Sequence, residues 1–525
     1  MATAKAMTMS ATDFETLVEG LLEPGAYPHP VSEVERIETH ISVVLLAGAF
    51  AYKLKKPLDL GFLDFSTLAR RHSLCGEELR LNRRLAPEIY LSVEPVTGAP
   101  AHPRIGGEGE VIEYAVKMRR FPQEALLSRR TVTPDVVERI AVRVADFHAG
   151  IPTAAPDSDY GSQAAVLGPM LENFRHIRPG LAAGQQGRID AIEAWTRAHA
   201  EALQGEIAER RREGHVRECH GDMHRGNIAI IDDEVVIFDA IEFSPALRWI
   251  DTISEVAFLV MDLDEGGYPV LGRRFLNRYL ELTGDYAGLP LLDFYKVYRA
   301  MVRAKVIAIR LGQAHVEAEE AAADRRDLAR YLSLAEGYTR AHRPTLVLMH
   351  GLSGSGKSWL ANGLLDHLPA IRIRSDIERK RLFGLGADAD SAATVGDIYT
   401  REATARTYER LRGQARTLLT AGYDVLVDAA FLRQEQRRAF LALADELGCP
   451  CRILSAQAPE AVLRARLEAR RRSGGDPSEA DERVLDLQLG SQEPLTGDER
   501  DHLISIDTSG PLELAGLAAR LIAGE

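Results

Sequence analysis

The chain has 525 residues, too many for one ordinary core, so two or three domains are expected. Its apolar content of 46% and charged content of 27% suit a globular protein, and no run of eighteen apolar residues offers a membrane-spanning helix. A net charge of −13 argues against broad nonspecific binding to nucleic acid, which needs a basic face, though it leaves room for a local basic groove.

The segment Met1 to Glu15 carries a single lysine, Lys5, and no apolar core ahead of a cleavage site, unlike a signal peptide. Cys75, Cys219, Cys449 and Cys451 do not make a complete metal-ligand set, and Cys449 and Cys451 flank Pro450 too closely for an unstrained disulfide. Reduced thiols in a cytoplasmic protein with no membrane association are the expectation. Only nine of the basic residues are lysines, and three of those fall within Lys53 to Lys56. Chance clustering is the bland alternative to a functional one.

Strand signals open the chain, at Val34–Ile41, Val43–Leu46, Ala49–Lys55 and Val111–Met118. The sequence then becomes mostly helical, with a β-like island around Val216–Asp239. A small sheet lobe followed by a larger helical lobe is predicted. Within the island stands His220-Gly221-Asp222-Met223-His224-Arg225-Gly226-Asn227, followed by an apolar strand, Val235–Phe238, that ends at Asp239 with Glu242 close by. Phosphoryl transfer asks for one carboxylate to orient or deprotonate the acceptor hydroxyl. It also asks for an amide five residues later and a second carboxylate on the next hairpin, both to hold Mg²⁺. Asp222, Asn227 and Asp239 have that order and spacing. His220 and His224 read better as packing or hydrogen-bonding groups, because no third zinc ligand stands at suitable spacing.

The H-G-D-x-H-x-x-N variant resembles the aminoglycoside and choline phosphotransferases, a kinase-like family, over roughly residues 30–340. The resemblance implies an α+β bilobal fold, a lysine on an early strand and a glutamate on the following helix. Ala49-Phe50-Ala51-Tyr52-Lys53 is similar to the lysine-bearing strand. Lys55 faces the same side and is the rival. Glu78 shares a helical face with Leu74, Leu81 and Leu85, so it is preferred to Glu77 as the inward carboxylate. Val116-Lys117-Met118 would then connect the lobes where adenine binds, with Met118 at the nucleotide. Two departures stand out. No G-x-G-x-x-G loop precedes Lys53, so Thr39-His40-Ile41-Ser42 would have to cover the phosphates with little glycine. Residues 150–215 and 265–335 carry no acceptor signature.

Ala314 to Tyr338 reads as helix, and a seam follows at Thr339 to Pro344. It divides an N-terminal kinase-like domain, 1–340, from a C-terminal domain, 341–525. Beyond it strands and helices alternate. Strands are expected at Thr345–His350, Ala370–Arg374, Asp424–Asp428, Cys451–Ala456 and Leu503–Asp507, with helices such as Ser358–Leu368, Tyr399–Ala421 and Gln434–Leu447. That alternation predicts an α/β parallel sheet covered on both faces.

Gly351-Leu352-Ser353-Gly354-Ser355-Gly356-Lys357-Ser358 fits G-x-x-x-x-G-K-[ST] between a strand and a helix. Backbone N–H groups of such a loop, here from Gly351, Ser353, Gly354, Ser355 and Gly356, surround phosphate oxygens. Lys357 can reach the β- and γ-phosphates, and Ser358 can ligate Mg²⁺. A glycine-rich turn without ligand is the alternative. Asp376 ends the second strand and is placed to accept a proton from an attacking hydroxyl, with Arg379 on its helical face to bind the acceptor. Asp376 could also cap the helix. Asp428 ends the third strand, a Walker-B-like place for Mg²⁺ or its water, with a structural Asp as the alternative. Arg464, Arg466, Arg470, Arg471 and Arg472 precede the polar Ser473-Gly474-Gly475-Asp476-Pro477, a candidate lid in which most arginines are a solvated face and one or two reach the phosphates.

Residues 344–525 resemble the P-loop kinases of the zeta-toxin, gluconate-kinase, chloramphenicol-phosphotransferase and polynucleotide-5′-kinase group. The expected protein is therefore a bifunctional kinase using ATP (or GTP) and Mg²⁺, each domain phosphorylating a hydroxyl of a small metabolite, sugar or antibiotic. A polynucleotide 5′-kinase, or a ligand-sensing pseudokinase controlling a C-terminal ATPase or kinase, are the alternatives. The overall acidity disfavours nucleic acid as a partner.

Overall fold

The computed structural model of the chain describes residues 9–59, 61, 63–182, 184–312, 317–389, 398, 400–473 and 482–523. Residues 1–8, 313–316 and 399, which fall in expected segments above, and the 474–481 part of the expected lid lie outside the described residues. Packing groups the chain into two compact units. The first comprises 1–132, 146–166 and 207–262; the second comprises 133–145, 167–206 and 263–525. The seam read from the sequence at 339–344 falls inside the second unit.

The first unit holds an antiparallel six-stranded sheet made of β1 (Val34–Glu38), β2 (Ser42–Ala47), β3 (Phe50–Lys55), β4 (Tyr90–Ala99), β5 (His102–Ile105) and β6 (Val111–Arg119). Their order is β1-β2-β3-β6-β4-β5. Helix α1 (Ala11–Leu21) sets Phe14, Leu17, Val18 and Leu21 against Val43, Leu45, Tyr52 and Leu54 of one face. On a separate core, α2 (Leu68–Asn82) packs Cys75 with Ile89, Tyr90 and Val116. Alternation puts Ala51, Lys53 and Lys55 on one side of β3, and that side meets α2. Strands β4 and β5 were not expected from the sequence. Pro95 and Gly98 interrupt β4, and its pairing with β6 carries two register shifts, so its periodicity is broken. Two small ribbons complete the unit. One pairs β7 (Val216–Glu218) with β10 (Trp249–Asp251); the other pairs β8 (Ile228–Ile231) with β9 (Glu234–Ile237).

The second unit contains a five-stranded, wholly parallel sheet of β11 (Leu346–His350), β12 (Ala370–Arg374), β13 (Asp424–Asp428), β14 (Cys451–Gln457) and β15 (Leu503–Asp507), in the order β12-β13-β11-β14-β15. Continuous apolar runs such as Leu346-Val347-Leu348-Met349 bury both faces, as a parallel sheet requires. Strand β12 lies at the edge. Helix α3 (Pro269–Thr283) covers it: Asn277 Nδ2 donates to Ala370 O at 3.2 Å and Asn277 Oδ1 accepts from Arg372 N–H at 2.7 Å. Arg372 also donates to buried Glu281 at 2.7 Å. An edge strand is thereby closed to further pairing, and α3 groups with the P-loop sheet. Among the described residues, no helix is long and apolar enough to cross a membrane.

Candidate active sites

In the first unit, β3 and α2 converge on a buried charge cluster. Lys53 Nζ lies 2.9 Å from Glu78 Oε1 and 2.5 Å from Asp239 Oδ1. Lys55 Nζ lies 2.6 Å from Glu78 Oε2 and also pairs with Glu242. Glu78 is fully buried, whereas the Asp239 carboxylate is 43% exposed, so Lys53 faces the open side and Lys55 the interior. Burial pushes the Glu78 carboxyl up, but Lys53 and Lys55 more than offset it and hold it at about 2. Burial also opposes charge on Lys53, yet Asp239, Glu78 and Glu242 raise its pKa well above the lysine range. Burial wins for Glu242, whose carboxyl is raised despite Lys55.

The catalytic-loop candidates are fixed by backbone contacts. Asn227 Nδ2 donates to Asp222 O at 3.0 Å and to Asp222 Oδ2 at 3.1 Å. Its amide protons are spent there, so Oδ1 is the atom Asn227 can offer a cation. His224 Nε2 stands 3.4 Å from Asp222 Oδ2, while His224 Nδ1 accepts from Gly226 N–H at 3.0 Å. His220 Nε2 donates to Phe238 O at 2.9 Å, and its Nδ1 accepts from Asp222 N–H at 3.3 Å. Burial lowers the His220 pKa, in keeping with a neutral ring used as a spacer. Asp239 adopts a left-handed backbone, φ +64°, and its N–H donates to Tyr90 Oη at 3.2 Å. A strained non-glycine conformation at a carboxylate facing a site is a functional hint.

In the second unit, β11 runs through the phosphate loop into α4 (Lys357–Leu364). Gly351 (φ +139°) and Gly354 (φ +82°) are required as glycines. A Cβ would stand 2.4 Å from Ala456 O at the first and 2.6 Å from Leu463 O at the second. Lys357 Nζ donates to Leu352 O at 2.7 Å, folded over the loop. Burial lowers its pKa to about 8, against the opposing pull of Asp428 and Asp376. Ser358 Oγ donates to Asp428 Oδ1 at 3.2 Å. Asp428 Oδ2 is buried without a hydrogen-bond partner, with Arg374 Nε 3.8 Å away. An orphaned buried carboxylate oxygen beside a hydroxyl suits a hard cation.

These groups line one cavity of about 970 Å³ together with Asp376, Arg379 and Arg470. That volume is at the top of the range for a single small-molecule pocket, enough for a nucleotide and an acceptor side by side. Asp376 sits at the second position of α5 (Ser375–Leu382), which shows no side-chain cap, so capping is not its role. Arg379 is buried and donates to Ile398 O at 3.2 Å and Thr404 Oγ1 at 3.1 Å, the latter on α6 (Arg401–Thr420).

The arginine-dense segment is α8 (Glu460–Ser473), which follows α7 (Gln434–Leu447) in the chain. The structure sorts its arginines. Arg464 pairs with Glu460 and Asp486, and Arg472 with Glu468, as solvated groups. Arg466 braces the loop, donating to Gly354 O at 3.3 Å and Thr508 O at 2.6 Å. Arg470 lines the cavity.

Sequence reading and structure differ at Val116–Met118. These residues lie inside β6 rather than in a connection between lobes, and Met118 pairs with Ala51 and Tyr90. The alternating pattern of Val111–Arg119 satisfies two neighbouring strands, so the chain leaves the sheet only after Arg119. The second ion pair, Lys55–Glu242, and a strut behind the catalytic loop were not foreseen. In that strut Glu255 Oε1 accepts from Gly221 N–H at 2.7 Å and Glu255 Oε2 meets His148 Nε2 at 2.8 Å. The signal was present, since Glu255 stands in the apolar run Ile253 to Met261, where a carboxylate must have partners.

The Phosphotransferase enzyme family model matches residues 62–292, and an AAA domain model matches residues 346–495. Uncharacterized proteins of Mycobacterium tuberculosis (strain H37Rv) and Mycobacterium bovis are each 32% identical over 496 residues, covering 92% of this chain and 95% of theirs. Among solved structures, an amicoumacin kinase in complex with AMP-PNP, Ca²⁺ and Ami is 14% identical (TM-score 0.37), covering 62% of this chain and 93% of its own. The Mycobacterium tuberculosis APS kinase in complex with AMPPNP and APS is 23% identical (TM-score 0.24), covering 35% and 97%. With a region that matches the Phosphotransferase enzyme family followed by a region that matches an AAA domain, this phosphotransferase belongs to the same family as those mycobacterial proteins.

Proposed function

We propose that the chain is a bifunctional phosphotransferase with two separate phosphoryl-donor sites, each acting on a hydroxyl of a small molecule. The observation that carries this reading is duplication. Each compact unit assembles a lysine, buried in the first and half-buried in the second, a carboxylate suited to Mg²⁺ and a second carboxylate for the acceptor, with no residue shared. In the first unit these are Lys53, Asp239 with Asn227, and Asp222. In the second they are Lys357, Asp428 with Ser358, and Asp376.

The chemistry is the same at both. A bond forms between the acceptor oxygen and the γ-phosphorus while the bond from that phosphorus to the β-phosphate oxygen breaks. The hydroxyl proton passes to Asp222 or Asp376. Bound Mg²⁺ supplies charge neutralisation on the phosphates. Lys53 on Glu78, and Lys357 with Arg470, hold the phosphoryl group as charge develops. The intact first-unit cluster weighs against a pseudokinase. Arg464 and Arg472 are paired with neighbouring carboxylates, which takes these two out of a basic polynucleotide groove along that helix.

The test is transfer from labelled ATP to pooled metabolites, aminoglycosides and RNA ends by wild type, Lys357→Ala and Asp222→Ala. Each substitution should remove transfer to a different small acceptor. Loss of transfer to RNA ends alone in Lys357→Ala, or no change at all in Asp222→Ala, would overturn the proposal.

A further inference from the structure

Ser353 donates its backbone N–H to the side-chain Oε1 of Gln488 at 2.7 Å. Ser353 is the third residue of the phosphate loop, whose amides point at phosphate oxygens when a nucleotide is bound. One N–H cannot serve a glutamine carbonyl and a phosphate oxygen at full strength. Gln488 belongs to α9 (Glu482–Ser491). Leu485 of that helix is buried against Leu463 and Leu467 of α8, and Leu352 of the loop and Leu489 pack on the same cluster. The far end of α9 is tied down separately: Glu493 N–H donates to Leu432 O at 2.8 Å, and the Glu493 carboxylate accepts from Gln434 N–H at 2.6 Å. The middle of α9 is thus seated on the loop by apolar contact and pinned to it by one hydrogen bond.

A second observation concerns the same cavity. Trp359 and Leu487 both line it and are 60% and 73% exposed, unlike the other large apolar groups around them. Large apolar side chains left to water beside a ligand cavity mark a surface that ligand binding can cover.

We infer that Gln488 is an internal competitor for the phosphate loop. A phosphate oxygen must displace its side chain from Ser353 N–H, so Gln488 sets nucleotide affinity and couples the seating of α9 to occupancy of the loop. Ligands that bring an oxygen to this amide release the helix; a nucleoside without phosphates leaves it pinned. The inference rests on the reading that Gly351–Ser358 binds a nucleotide.

The experiment is calorimetric titration of the full chain with a non-hydrolysable ATP analogue and Mg²⁺. The loop component is the part lost in Lys357→Ala. Gln488→Ala removes the competitor and should tighten that component about two- to tenfold, the worth of one ordinary hydrogen bond. Gln488→Glu keeps size and acceptor but adds charge, which holds the amide harder and repels phosphate, so binding should weaken about tenfold or more. Gln492→Ala, one turn on and outside the cavity lining, should bind as wild type does. Opposite signs at one position are what a merely structural glutamine would not produce. Weakening by both Gln488 variants, or no change in either, overturns the inference. If Lys357→Ala removes no component, the nucleotide reading of the loop falls, and the inference with it.

Discussion

Glu78 receives two lysines, Lys53 at 2.9 Å on Oε1 and Lys55 at 2.6 Å on Oε2. A single carboxylate thus anchors the cation that faces the open side of the site and a second cation that faces the core. Lys55 is also held by Glu242 and Lys53 by Asp239, so turning Glu78 away would leave each ammonium with a single carboxylate in a buried setting. Replacing Glu78 by Gln should lower unfolding stability by about 3–5 kcal/mol, the usual cost of removing one partner from a buried pair. Glu77→Gln, one residue away but part-exposed with Arg80 and Arg248, should cost about 1 kcal/mol or less. Urea denaturation midpoints with unchanged slopes check both values.

In the proposed mechanism Asp222 accepts the hydroxyl proton in the first unit. Asp222→Asn preserves an oxygen for Asn227 Nδ2 while removing the base. It should reduce kcat for the acceptor served by that unit by about 10²- to 10⁴-fold with little change in nucleotide affinity. A rise in KM with unchanged kcat would assign Asp222 to binding.

The two lysines respond differently to pH. Burial brings Lys357 to about 8, and bound phosphate favours its charged form. Affinity at the loop should therefore be fully present below pH 8 and fall as pH rises through it, by about tenfold between pH 7 and 9, with proton uptake on binding at the upper end. Lys53 is held far above this range by Asp239 and Glu78, so affinity in the first unit should stay flat over the same interval. Nucleotide titrations in buffers of differing ionisation enthalpy measure both affinity and proton uptake.

Gly354→Ala places a Cβ 2.6 Å from Leu463 O in a left-handed backbone and should weaken nucleotide binding at the loop more than tenfold, from about 1–2 kcal/mol of backbone strain plus the clash. Gly490→Ala on α9 meets nothing within 4 Å and should be neutral or stabilising by about 0.5–1 kcal/mol. Thermal unfolding with and without nucleotide distinguishes them.

Much of this was legible in the sequence where a residue type answers one physical demand. The strands β12, β13 and β15 have their expected bounds: β13 shows the continuous apolar run Val425-Leu426-Val427, and the edge strands β12 and β15 show alternating isoleucines, Ile371 with Ile373 and Ile504 with Ile506. Glu78 stood out over Glu77 because it falls on the apolar face of α2, and the structure buries it completely. The charge-facing order of Lys53 and Lys55 could not be read, since alternation puts both on one side. Gln488 and Arg466 carry no signature either. Their importance comes from the packing of α8 and α9 against the loop more than a hundred residues earlier, a tertiary fact with no local pattern. The docking of α3 on β12 was hidden for the same reason, because Asn277 and Glu281 look like ordinary helix polar residues until Arg372 meets them.

The central claim is that one chain carries two independent phosphoryl-donor sites. Its most direct test is the stoichiometry of Mg²⁺-dependent binding of a non-hydrolysable ATP analogue to the full chain. Two nucleotides per chain are predicted, one lost in Lys357→Ala and the other in Asp239→Ala. One nucleotide per chain, abolished by Lys357→Ala and untouched by Asp239→Ala, would contradict the account.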